Sequence, residues 1–182
     1  MKRFLGLTAL AVGVALAVPS ASAAAAASKP TWSWPLPAPH VLARNYIAPE
    51  SPYGPGHRGI DILAPPGSGV GSASTPDFAG GGVPVTAPAA GVVHFVGFVV
   101  DRPVVSIDHG GGVLSSFEPV ASELRKGDRV TAGQTIGTLE PGHCARLCLH
   151  LGARVGGEYV SPLMFLGGMP RAVLLPTRAL PG

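Results

Sequence analysis

Apolar residues along this chain come in short bursts, and helical spacing is hard to find among them. The windows 59–63, 83–87, 92–100, 104–108 and 113–118 are rich in β-branched and aromatic residues and end at turn-forming ones, the pattern of strands. Three more such windows, 129–131, 134–139 and 147–154, follow. Glycine and proline, 26 and 20 residues, interrupt nearly every longer window and leave little room for helices of ordinary length. Gly110-Gly111-Gly112 joins two apolar runs and predicts a hairpin turn at positive φ. One short helix is expected at 161–166, with Ser161 capping it and Pro162 in its first position. A half-motif also recurs: Val85-Thr86-Ala87-Pro88-Ala89-Ala90-Gly91 is echoed by Val130-Thr131-Ala132-Gly133-Gln134-Thr135-Ile136-Gly137. The pattern predicts an all-β fold, a compact antiparallel β-sandwich or barrel-like hybrid with a duplicated half-motif and one short C-terminal helix.

The 182 residues divide unevenly. Lys2 and Arg3, an apolar run to Val18, the helix-breaking Pro19 and Ala21-Ser22-Ala23 form a secretory leader pattern over residues 1–23. Cleavage after it, in preference to a retained anchor, leaves no membrane span and places the product outside the cytoplasm, secreted or in the cell envelope. Residues 24–33 read as a flexible lead-in, 34–168 as the single domain and 169–182 as an irregular tail. Within the domain, 67–82 is low in complexity and reads as a flexible surface insertion. Trp32 and Trp34, in a proline-rich stretch, offer an aromatic to pack on the core.

Charge narrows the possible partners. The net +3 includes Lys2 and Arg3, so the rest of the chain stands near about +1, with Arg125, Lys126 and Arg129 as its only basic turn. That excludes the clustered basic face of a nucleic-acid binder. A monomer is expected. Cys144 and Cys148 are the two cysteines, and in an exported chain they predict one disulfide.

Candidate chemistry lies in two segments. Gly56-His57-Arg58-Gly59-Ile60-Asp61 sets an imidazole and a carboxylate four positions apart where a glycine-bounded loop enters a strand. Both are good zinc donors, although alone the pair reads equally well as solvated surface groups. In Leu147-Cys148-Leu149-His150-Leu151, strand alternation puts Cys148 and His150 on one face, about 6.5 to 7 Å apart. A histidine in an apolar strand is commonly a hydrogen-bonded core residue. Together with His57 and Asp61, His150 would instead complete a three-ligand zinc site whose fourth position is left for water, the arrangement of a catalytic centre.

From Trp34 to about Leu166 the chain resembles the lysostaphin-type (LytM-like) zinc metallopeptidases that cut peptide bonds in peptidoglycan. The landmarks are the His57–Asp61 segment, Val85-Thr86-Ala87-Pro88-Ala89-Ala90-Gly91-Val92-Val93, Val105-Ser106-Ile107-Asp108-His109-Gly110, Gly127-Asp128-Arg129-Val130, Gly133-Gln134-Thr135-Ile136-Gly137 and Leu149-His150-Leu151-Gly152. The resemblance implies a compact antiparallel β fold, Zn2+ held by His57, Asp61 and His150, and peptidoglycan peptides as partners. It also exposes two departures. The family's His-x-His begins here with Cys148, and its Tyr-x-His step after the glycine hairpin is Phe117-Glu118-Pro119. Both non-ligand catalytic histidines are thus replaced, and each lost acid–base group costs about 10²- to 10⁴-fold in rate.

Two side chains are candidate substitutes: Glu118, one position from the missing histidine, and His143, which a Cys144–Cys148 bridge would swing toward the metal. Each also reads as a solvated surface group. Cys148 itself is open between the disulfide and a fourth, thiolate ligand that would close the site. His109 is expected to be structural, and neither His94 nor His40 falls on a matching position. The functional expectation is a zinc metalloendopeptidase of reduced activity cutting stem peptides or cross-bridges. The alternative is an inactive module that binds peptidoglycan or regulates a cell-wall hydrolase. A biotinyl- or lipoyl-carrier reading fails because Lys126, the lysine available in the domain, lacks apolar flanks.

Overall fold

The computed structural model describes residues 32–51, 54–68 and 82–167. The leader, most of the lead-in, most of the expected 67–82 insertion and the expected tail lie outside the described residues. Within them, the chain forms strands β1 (Leu42–Arg44), β2 (Gly59–Leu63), β3 (Pro84–Thr86), β4 (Gly91–Val99), β5 (Arg102–Asp108), β6 (Val113–Glu118), β7 (Val120–Ala121), β8 (Arg129–Val130), β9 (Thr135–Leu139), β10 (Cys148–Val155) and β11 (Glu158–Val160). One helical turn, α1 (Leu163–Leu166), closes the series. The main sheet runs β1-β2-β10-β6-β5-β4-β8, with β11 beside β10, and a second sheet runs β3-β9-β7. Every pairing is antiparallel. The all-β antiparallel expectation and the short C-terminal helix both hold. No helix of the described residues is long and apolar enough to cross a membrane.

Alternation along the strands builds the core. Ile60 and Ile62 of β2, Val105 and Ile107 of β5, Phe117 of β6 and Leu149 and Leu151 of β10 are fully buried. They join Val85, Val120, Ile136 and Leu139 of the smaller sheet in one apolar cluster. The echoed half-motifs lie side by side. Val85 pairs with Gly137, Ala87 N–H donates to Gln134 O at 2.8 Å, and Gly133 N–H returns a 2.8 Å bond to Ala87 O. Trp32 is the aromatic that packs on the core: its ring stacks on Phe165 with centroids 4.5 Å apart, and its backbone N–H donates to Phe165 O at 3.0 Å.

Several local expectations shift. Strands β1, β7 and β11, two or three residues long, were not legible, because their neighbours define them more than their own pattern does. Ser161 does not cap α1: Pro162 is the N-cap residue, there is no side-chain cap bond, and the Ser161 carbonyl accepts from Met164 N–H at 3.1 Å. Val100, expected to end a strand, is instead a turn residue at φ 60°, an unusual backbone for a β-branched side chain. That tight turn makes Arg102 the first residue of β5, two positions before the expected start. Gly110, Gly111 and Gly112 take positive φ, as a hairpin there requires.

Candidate metal centre

Three adjacent strands, β2, β10 and β6, present one face of the main sheet away from the core. On β10, His150 pairs with Asp61 on one side and Glu118 on the other. Because Ile60, Ile62, Leu149, Leu151 and Phe117 point inward, alternation sends Asp61, His150 and Glu118 to the opposite face together. His57 precedes β2 and is held by an isolated bridge to Ile47, with backbone bonds of 2.8 and 3.0 Å. Gly59 is required between them. A Cβ there would lie 2.3 Å from Leu151 O and 2.6 Å from His150 Nε2. The missing side chain lets the imidazole lie against β2.

A third imidazole arrives from a loop. Cys144 and Cys148 form a disulfide, closing a loop at the start of β10. The bridge consumes both thiols, so the thiolate-ligand alternative for Cys148 fails. His143, next to Cys144, reaches over the sheet. Ring nitrogens of His150, His143 and His57 stand 2.8, 3.0 and 3.1 Å from a single oxygen, Asp61 Oδ1. One potential ligand atom from each of the four residues lies within 4.8 Å of the others.

This donor set fits a cation. His57 Nδ1 is 2.7 Å from the backbone carbonyl of Asn45 and must donate there, since a carbonyl only accepts. In neutral His57 the Nε2 lone pair then faces the Asp61 carboxylate at 3.1 Å, two electron-rich atoms pointing at each other. Such a juxtaposition asks for a proton or a metal between them, and a backbone carbonyl holding the far nitrogen is how metal-binding histidines are oriented. His57 and Asp61 are also buried, at 5% and 4% exposure, where an unpaired carboxylate would be costly. Burial opposes ionisation of Asp61, but the hydrogen bonds from His143 and His150 and the nearby charges of His57 and His143 outweigh it. Its carboxyl titrates well below the usual range.

The expected ligands His57, Asp61 and His150 thus come together, and His143 joins them. Glu118 stands behind His143, its Oε1 3.7 Å from His143 Nδ1, and is not one of the convergent residues. Arg102, which the sequence reading missed, places Nη1 3.3 Å from His143 Nδ1 and 3.6 Å from Glu118 Oε1. His109 and His40 lie elsewhere: His109 bonds to Ala90 O and Ser115, and His40 stacks on Trp34. A groove of about 410 Å³ is lined largely by apolar side chains, among them Phe98, Pro103, Val120 and Pro141, residues that follow or precede Arg102, Glu118 and His143 closely in the chain, and by none of the four convergent residues.

The sequence profile of peptidase family M23 matches residues 75–162. Uncharacterised proteins of Mycobacterium bovis and Mycobacterium tuberculosis are 37% identical over 139 residues, covering 72% of this chain and 50% of theirs. The chain spans about half the length of the curated relatives it matches. Among solved structures, the catalytic domain of lysostaphin from Staphylococcus simulans superposes with a TM-score of 0.51 at 19% identity, over 70% of this chain and 92% of that one. A zinc-containing peptidase from Vibrio cholerae gives 0.52 at 18% identity, over 71% of this chain and 38% of its own. At such identities these two share the fold.

Proposed function

We propose, from the match to peptidase family M23, the family of lysostaphin-type enzymes, that the chain is a member acting as an extracytoplasmic zinc endopeptidase on peptidoglycan peptides. His57, Asp61 and His150 are its ligands. Bound zinc supplies Lewis acidity, polarising a peptide carbonyl and activating water. The remaining tasks fall to this chain's own groups. His143 presents an imidazole to the pocket from the disulfide loop, in place of the family histidine that Cys148 displaces. Glu118, on the far side of His143, is the nearby carboxylate, and with Arg102 it forms the charged backing of that imidazole. The apolar groove offers a wall for small aliphatic side chains of a bound peptide. With both family histidines replaced, turnover below that of the usual members is part of the proposal. The leader pattern and the disulfide support placement outside the cytoplasm.

One observation carries this reading: the Nε2 of His57, its other nitrogen held by a carbonyl, aimed at a carboxylate oxygen that two further imidazoles also approach. The test has two parts. Purified protein is expected to hold one zinc per chain, as a three-ligand site implies, and His57→Ala to lose it. Digestion of purified peptidoglycan followed by product mass analysis should release cut peptides, and a chelator should stop it. Equal zinc in both proteins would remove the metal site. Zinc without cleavage products would turn the proposal to the second reading, a non-cutting module that docks on peptidoglycan or on a wall hydrolase.

A further inference from the structure

Four imidazole nitrogens face different partners, and the partners dictate which nitrogen carries the proton. His57 and His143 both aim Nε2 at Asp61 Oδ1, at 3.1 and 3.0 Å. Their far nitrogens are treated oppositely. Nδ1 of His57 meets a carbonyl, so it must donate and its Nε2 is a lone pair. Nδ1 of His143 meets the Arg102 guanidinium at 3.3 Å. A guanidinium has donors only, so His143 Nδ1 must accept, and in neutral His143 the proton sits on Nε2. One imidazole is thereby prepared as a ligand and the other as a hydrogen-bond donor. The residue competing for His143 Nδ1 is Glu118, whose Oε1 at 3.7 Å would favour the other tautomer. Arg102 counters it by lying 3.6 Å from the same oxygen. Asp101, 3.5 Å from Arg102 Nε, steadies the guanidinium from the turn side.

We propose that Arg102 is a positioning residue that holds His143 in its Nε2–H tautomer, so that His143 donates into the pocket and does not ligate the metal. This rests on the zinc-site reading above and deepens it. It explains how a third imidazole can stand within ligating distance while one metal position stays open for chemistry, the difference between a catalytic and a closed structural site. An N–H aimed there meets the oxygen on which negative charge develops as a peptide carbonyl is attacked. Without Arg102, the proton would move to Nδ1 and donate to Glu118, and the freed Nε2 lone pair would close the site with a fourth protein ligand.

The experiment is proton–nitrogen correlation NMR of the full chain with labelled histidine, which assigns the tautomer of each ring, recorded with and without zinc. In wild type, His143 should be protonated at Nε2 and not at Nδ1. Arg102→Lys, which keeps a donor, should preserve this. Arg102→Met should move the proton to Nδ1, tighten zinc by about tenfold or more, as changes behind metal ligands commonly shift affinity, and reduce peptide hydrolysis. A proton on Nδ1 of wild-type His143 overturns the proposal, and so does an unchanged tautomer in Arg102→Met. The wild-type spectrum decides even if the variants fold poorly. Failure of the zinc reading shows separately, as absence of bound zinc, while the zinc-free spectrum still tests Arg102.

Discussion

Gly59→Ala is the smallest change that tests how the sheet delivers His150. The added methyl would lie 2.3 Å from Leu151 O, 2.6 Å from His150 Nε2 and 2.8 Å from its Cε1. All three are well inside contact distance, so something must move. The Leu151 carbonyl belongs to strand β10, which pairs directly with β2 at this point, so it yields only if the two strands part. The imidazole is the softer neighbour and will turn. Overpacking of this kind costs about 1 to 3 kcal/mol of stability. Displacing a ligand ring should weaken zinc by about 10- to 100-fold, the loss usual when a ligand's support is altered. The assay is competition with a chromogenic chelator, beside thermal melts with and without zinc. Ile62→Val is the control: it trims the inward face of the same strand, costs about 0.5 to 1.5 kcal/mol and leaves the ring alone. Gly59→Ala binding zinc as tightly as wild type would refute the reasoning, as would an equal loss of affinity in Ile62→Val.

Replacing both Cys144 and Cys148 by serine should cost on the order of 2 kcal/mol or less, since the closed loop is short. Zinc stoichiometry should stay unchanged while peptidoglycan cleavage falls, which denaturant titration, metal analysis and digestion would check together. Burial holds the His109 ring's pKa below the ordinary histidine value, against the opposing bond to Ala90 O and the charge of Asp108. The stability contributed by its neutral form is therefore full above about pH 6.5 and is lost as pH falls through the lowered folded value. The difference in denaturation midpoint between wild type and His109→Gln should be constant above about pH 6.5 and should change, to the wild type's disadvantage, only on that acidic side. Phe117→Ala removes a fully buried ring next to Glu118 and should cost about 3 to 5 kcal/mol, measured by denaturant titration.

Much of the fold was legible because turn residues and alternating apolar positions are local signals. The runs that became β2, β6 and β9 could be read within a residue or so at each end. The convergence of His57, Asp61 and His150 was legible through the spacing of the first two and the alternation around the third. Arg102 was not, because its place beside His143 depends on a tight turn at Val100 and on how β5 pairs with β6, neither of which leaves a mark in the local pattern. Asn45 contributes only a backbone carbonyl, a group every residue possesses. The tautomers of His57 and His143 follow from such long-range partners, so no spacing rule could have separated a ligand from a donor.

Asp61, His150 and Glu118 occupy one cross-strand rung, each from a different strand. Sliding β10 by two residues against β2 would keep its apolar face inward yet carry His150 about 6.5 to 7 Å along the sheet. The hydrophobic pattern tolerates that error, but a cation shared between β2 and β10 does not. An ion captured there would act as a proofreader of strand alignment, rewarding the correct zipper tooth over its neighbours.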